Sequence, residues 1–162
     1  MEAQPCRTDG SISPRLFKNI TNEEKLNCFS SFFSKIEAEE KELIITDPYL
    51  FKESKNKKED DEYCNILAKI IMKAKAKSIR VITNYRNYNN DIHKKIENKL
   101  TQDIKIIWND DFHDRFWIAD RKKGFYTGTS INGLGKRITL INLLSKDEVK
   151  IIIDELNKKE CL

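Results

Sequence analysis

Short apolar runs recur along the chain, and amphipathic stretches of helical length separate them. Leu43–Asp47, Ser78–Thr83 and Asp103–Trp108 are rich in β-branched residues and too short for helices, so they read as strands. Between the first two, Tyr63, Ile66, Leu67, Ile70, Ile71 and Ala74 recur at helical spacing behind an acidic first turn of Glu59 to Glu62. A basic helix capped by Asp91 and running to Leu100 precedes the third run. Thr21-Asn-Glu-Glu24 has capping-box spacing, with Leu26, Phe29, Phe33 and Ile36 behind it, which predicts a first helix ending near Glu40. Arg137–Leu144 reads as a late strand, and Ser145 caps a last helix. The alternation predicts an α/β fold with a mixed, mostly parallel sheet and helices on both faces. Residues 1–20, with Pro5, Gly10 and Pro14, are expected to form a flexible N-terminal arm, and 21–162 a single domain.

Charge narrows the partners only loosely. The net charge is +4 and the charged fraction 35%, mixed in sign along the chain. That balance permits a nucleic-acid or a lipid-headgroup partner, and any basic groove must be assembled by folding. No apolar run approaches the ~20 residues of a membrane span, and the polar start lacks the apolar core of a signal peptide. Cys6, Cys28, Cys64 and Cys161 are widely spaced, without a CxxC pair, so a zinc knuckle and a disulfide framework are both disfavoured. A cytoplasmic protein with reduced thiols and no membrane contact is expected.

The chemistry concentrates in His113-Asp-Arg-Phe-Trp-Ile-Ala-Asp120 and in the turn Gly128-Thr-Ser-Ile-Asn132 behind it. On an extended strand His113 and Arg115 point to one face. Four of the five glycines (Gly124, Gly128, Gly133, Gly135) follow directly, a clustering that suits close backbone approach or a demanding turn. Metal ligation lacks support, since the only other histidine is His93 and no HxH or HExxH exists. No GxSxG elbow accompanies a serine, and Gly135-Lys136 is followed by Arg137 rather than the Ser or Thr of a P-loop. No cofactor is implied. What remains is His113 as nucleophile or acid/base, with Arg115 as a phosphate clamp. Asp47 and Tyr49, at a strand's end, are either site residues or part of a turn that Asp47 caps. The loop Asn84–Asn90 is either an ordinary polar connection or one that offers Tyr85, Arg86 and Tyr88 to a nucleic-acid strand. His93 is expected on a solvent-facing helix side.

Together, His113-x-Arg115-xxxx-Asp120 and Gly128-Thr-Ser130-Ile-Asn132 resemble the HxKxxxxD…GSxN signature of the phospholipase D superfamily. The likeness is nearest to small bacterial members whose motif reads HDRF, and it spans roughly Leu43 to Leu144. It implies hydrolysis of phosphodiesters without a metal. One histidine attacks phosphorus and forms a phosphohistidine; a second, from another motif copy, protonates the leaving oxygen and then activates water. With one copy per chain, the resemblance implies a two-fold homodimer.

Carried over residue by residue, His113, Arg115, Asp120, Ser130 and Asn132 form the catalytic set, Arg115, Ser130 and Asn132 holding nonbridging oxygens. Asp47, Tyr85, Arg86, Tyr88, Lys136 and Arg137 are candidates for substrate contacts. Two departures stand out. Arg115 replaces the family lysine, and the turn carries an additional residue, Thr129, before the serine. Arginine-bearing relatives include noncatalytic lipid-binding modules, but those have a Gly-Arg-Gly-Leu-Asp turn that this chain lacks. The expectation is a nuclease-like phosphodiesterase; the alternative is a silent phosphate-binding or assembly module of the same fold.

Overall fold

A computed structural model describes residues 15–17 and 19–162. Its seven strands are β1 (Arg15–Phe17), β2 (Glu42–Thr46), β3 (Ser78–Thr83), β4 (Ile104–Trp108), β5 (Arg115–Ala119), β6 (Lys123–Thr127) and β7 (Thr139–Leu143). They form one sheet in the order β1-β7-β6-β5-β2-β3-β4. Four helices accompany them: α1 (Asn22–Lys35), α2 (Lys57–Lys73), α3 (Asn90–Glu97) and α4 (Lys146–Lys158).

The helices begin where side-chain chemistry starts them. Thr21 and Glu24 close a capping box on α1, and Ser145 and Glu148 close another on α4. Asn56 caps α2, and Asn89, not Asp91, caps α3 by accepting from two backbone amides.

Side-chain alternation along the central strands fills two cores. Leu43, Ile45, Val81, Trp117 and Phe125 face α1, α2 and α3, while Ile44, Ile82 and Ile118 face Val149 and Leu156 of α4. Helices therefore cover both faces, as expected. In the larger core, Phe29, Phe33, Trp117 and Phe125 pack ring on ring, with Trp117 and Phe125 stacked at 5.9 Å.

The sheet is mixed but not mostly parallel. Only β2–β3 and β3–β4 pair in parallel; β5, β6, β7 and β1 join through antiparallel ladders. The reason is β6, which the sequence reading took as part of a glycine-rich turn. Asp120 and Arg121, both at positive φ, reverse the chain tightly, so β6 returns beside β5 without a crossover helix. Gly124 makes that pairing close: a Cβ there would lie 2.9 Å from the Trp117 carbonyl oxygen.

The expected arm over residues 1–20 falls largely outside the described residues. Within its range, Arg15–Phe17 pairs antiparallel with β7. Among the described residues, no helix is long and apolar enough to cross a membrane.

Candidate active site at one end of the sheet

Strand directions bring distant segments to one edge. β2, β3 and β4 run parallel and finish at Thr46, Thr83 and Trp108. Antiparallel pairing places the start of β5 at the same end, because Thr46 registers with Phe116. Arg115 in turn registers with Thr127, the last residue of β6. Asp47, the Tyr85–Asn87 turn, His113, Arg115 and Ser130 are thereby gathered along one rim.

Thr46 fixes the entry to β5. Its buried hydroxyl donates to the Asp114 carbonyl at 2.8 Å and accepts from the Phe116 amide at 2.9 Å. Arg115 sits between those two anchored groups, on the face it shares with Trp117.

Asp47 forms the floor. It is fully buried, and its Oδ1 accepts from the Tyr49 amide at 2.8 Å. The turn-cap reading is thus met; in addition, Arg115 Nε lies 3.9 Å from the same Oδ1. Burial pushes the Asp47 carboxyl up to about 6, against the downward pull of the Tyr49 amide, Arg115 and Ser130. The Arg115 guanidinium also lies over the Tyr49 ring at 5.4 Å, and Lys52 approaches the same ring at 5.4 Å. Tyr63 closes the floor from α2, its hydroxyl donating to the Leu50 carbonyl at 2.6 Å. Burial, then the Asp47 charge, raises its pKa well above the usual tyrosine value.

Ser130 opens the one-turn helix Ile131–Gly133 without capping it. Its hydroxyl faces both Asp47 and Tyr63, lowering both pKa values, yet Oγ closes no aligned hydrogen bond. Arg115 Nε is likewise buried without a hydrogen-bond partner among the described residues. Two donors are therefore held at this end with unspent capacity. The turn is tight, for a Cβ on Gly133 would meet Thr129 Oγ1 and Gly135 has φ +81°.

The other predicted residues are distributed around this centre. His113 is exposed, in the loop just before β5 rather than on the strand. Asn132 and Lys136 line a neighbouring cleft of about 370 Å³ between α1, α2 and the turn, together with Lys25. Burial first, and the Lys136 charge second, hold the Lys25 pKa below its ordinary value. Arg137 is exposed beyond that cleft. Tyr85 and Arg86 project from the rim after β3, Arg86 3.9 Å from Asp110.

Asp120 does not join them. It ends β5 at the far side of the sheet, about 16 Å from Arg115 at the usual strand rise, and it pairs with Lys122 at 3.1 Å. A five-residue strand necessarily parts the two ends of the motif.

His93 also departs from expectation. It is half-buried, its Nδ1 2.7 Å from the Tyr88 hydroxyl, and burial holds its pKa below the ordinary value. Tyr88 recruits it by packing inward against Phe51. Thr46, Tyr63 and Trp108 were not singled out by sequence reading. A threonine at the end of an apolar strand was the only trace of the first, and the others looked like ordinary core. No cluster of three His, Cys, Asp or Glu among the described residues is placed to hold a metal ion. Compared with known proteins, the chain matches no family model and no curated protein sequence.

Proposed function

We propose that this chain is a metal-independent phosphodiesterase of the phospholipase D type, acting on nucleic acid as a homodimer. One observation carries the reading: an exposed histidine lies two residues from an arginine that shares its end of the sheet with a buried, unbonded serine hydroxyl. Histidine supplies a nucleophile near neutral pH, while arginine and hydroxyl donors hold the charge that develops on the nonbridging oxygens. The motif spacing His113-x-Arg115 followed by Gly128-x-Ser130-x-Asn132 supports the same assignment.

In the first displacement an imidazole nitrogen of His113 bonds to phosphorus while the bond to the leaving oxygen breaks. The second copy's His113 protonates that oxygen. Water then attacks phosphorus, the phosphorus–nitrogen bond breaks, and the second copy's imidazole takes the proton from water. Asp47 and Tyr49 hold Arg115 in place, and Asp120, at the far end, has a structural part in the β5–β6 reversal. An apolar groove lined by Phe116, Tyr126, Leu144, Ile151 and Ile152 borders Asp114 and Gly128, where a second copy docks in this reading.

The binding-only reading is favoured by one fact: a single chain brings one histidine to this rim. Labelled single- and double-stranded DNA, RNA and phosphatidylcholine vesicles, each with and without EDTA, separate the readings. EDTA-resistant cleavage of a nucleic acid supports the hydrolytic one. Salt-sensitive retention without turnover supports binding alone. Light scattering at micromolar concentration is expected to give twice the chain mass, and a strict monomer contradicts the shared site.

A further inference from the structure

Two large aromatic side chains stand in solvent on the rim of the candidate site, and the fold has no use for their exposure. Tyr85 is 73% exposed and Trp108 47%. Their rings meet edge to face, 5.4 Å between centroids and 81° between planes. They come from adjacent strand ends, Trp108 closing β4 and Tyr85 opening the turn after β3.

The pair is braced from behind. Trp108 also meets Tyr88 at 4.9 Å and 84°, and Tyr88 is tied by its hydroxyl to His93 and by its ring to Phe51. The Asn84 side chain accepts from the Asn87 amide and stiffens the turn that carries Tyr85. Arg86, beside Tyr85, is 85% exposed, and among the described residues its one ion-pair neighbour is Asp110, at 3.9 Å. Counting strands from β5 through β2 and β3 to β4, the aromatic pair lies about 14 Å along the same edge from Arg115.

We infer that Tyr85 and Trp108 form a platform on which unpaired bases stack, so that single-stranded DNA or RNA is the substrate class of the neighbouring site. This rests on the phosphodiester reading of that site. Duplex bases have their faces covered by their neighbours, whereas every unpaired base offers a π-face. A braced ring loses little freedom on binding, and Arg86 lies where the backbone of a stacked strand passes.

The chain has two tryptophans, and Trp117 is fully buried, so a change in tryptophan emission on binding reports Trp108. The full-length protein is titrated with short oligothymidylate, with oligouridylate and with a duplex of matching length, and the same samples are run on a gel. Emission is expected to be quenched, and acrylamide access to the exposed tryptophan lost, with the single strands and not with the duplex. Comparison of the deoxy and ribo arms tells which sugar is preferred. By anisotropy, Trp108→Leu and Tyr85→Ala each weaken single-strand affinity at least about fivefold, and Trp108→Phe recovers most of the loss. Tyr85→Ala covers the case in which Trp108→Leu does not fold. Equal quenching by the duplex, or unchanged affinity in both variants, overturns the platform. Cleavage without quenching removes the platform and leaves the phosphodiesterase standing; quenching without cleavage does the reverse.

Discussion

Arg115 Nε lies 3.9 Å from the buried Oδ1 of Asp47, so it offsets that charge only in part and is too far for a hydrogen bond. The carboxylate is consequently held in a poorly compensated state. Its pKa rises from 3.8 to about 6, chiefly through burial. A carboxyl whose folded pKa exceeds its unfolded value costs nothing below pH 3.8, where both states are protonated. Stability then falls as pH rises toward 6, and above that the full penalty applies, roughly 3 kcal/mol at 1.36 kcal/mol per unit. Asp47→Asn keeps an acceptor for the Tyr49 amide and removes the titration. Urea midpoints at pH 4, 5, 6 and 7 are expected to show the variant gaining on the parent as pH rises. A pH-independent difference contradicts the assignment.

In the proposed hydrolysis Arg115 acts through both its charge and its fork. Arg115→Gln is expected to lower turnover by about 10²–10³, the usual effect of losing one donor to a developing oxyanion. Arg115→Lys, which introduces the lysine of the signature that this motif resembles, keeps the charge and loses the bidentate geometry, so an intermediate rate is expected. Equal rates for Gln and Arg in a single-turnover assay contradict a phosphate-gripping role.

Thr46 tests whether backbone anchoring positions the site. Thr46→Val removes the bonds to Asp114 and Phe116 and is expected to cost about 1–2 kcal/mol. Turnover should fall about tenfold beyond what unfolding explains, because Arg115 loses its fixed frame. Thr46→Ser keeps the hydroxyl and should restore both. A stable Val variant with parental turnover refutes the positioning role.

Gly124 tests the antiparallel return that completes the sheet. Ala at this position drives a Cβ against the Trp117 carbonyl and Ile118 Cγ1, each 2.9 Å away. A loss of about 1–3 kcal/mol is expected, lowering Tm by roughly 3–10 °C. An unchanged Tm shows that β5 and β6 are not so closely apposed.

The helices were legible because their signals are local: Thr21 with Glu24, and Ser145 with Glu148, declare a helix start within four residues. The first three apolar strands were equally legible, since Ile44, Val81 and Ile106 sit in runs too short for anything else. β6 was not. Lys123-Gly-Phe-Tyr-Thr127 carries a glycine and a charge, and only pairing with β5 makes it a strand. That omission is why the mixed sheet was expected to be mostly parallel. At the site, spacing brought out His113, Arg115 and Ser130; Asp120 was grouped with them through the motif resemblance, although a strand of five residues sets it about 16 Å from Arg115. His93 read as a surface residue because Tyr88, its partner, precedes the helix and could not be seen folding back.

The most direct test of the central claim is a covalent one. A single strand labelled with ³²P at the scissile phosphate is incubated with the protein in EDTA, quenched in alkali and digested for peptide mapping. The account predicts an acid-labile, base-stable label on His113, lost in His113→Asn together with cleavage. Cleavage that proceeds without any protein-bound phosphate, or a label on another residue, contradicts it.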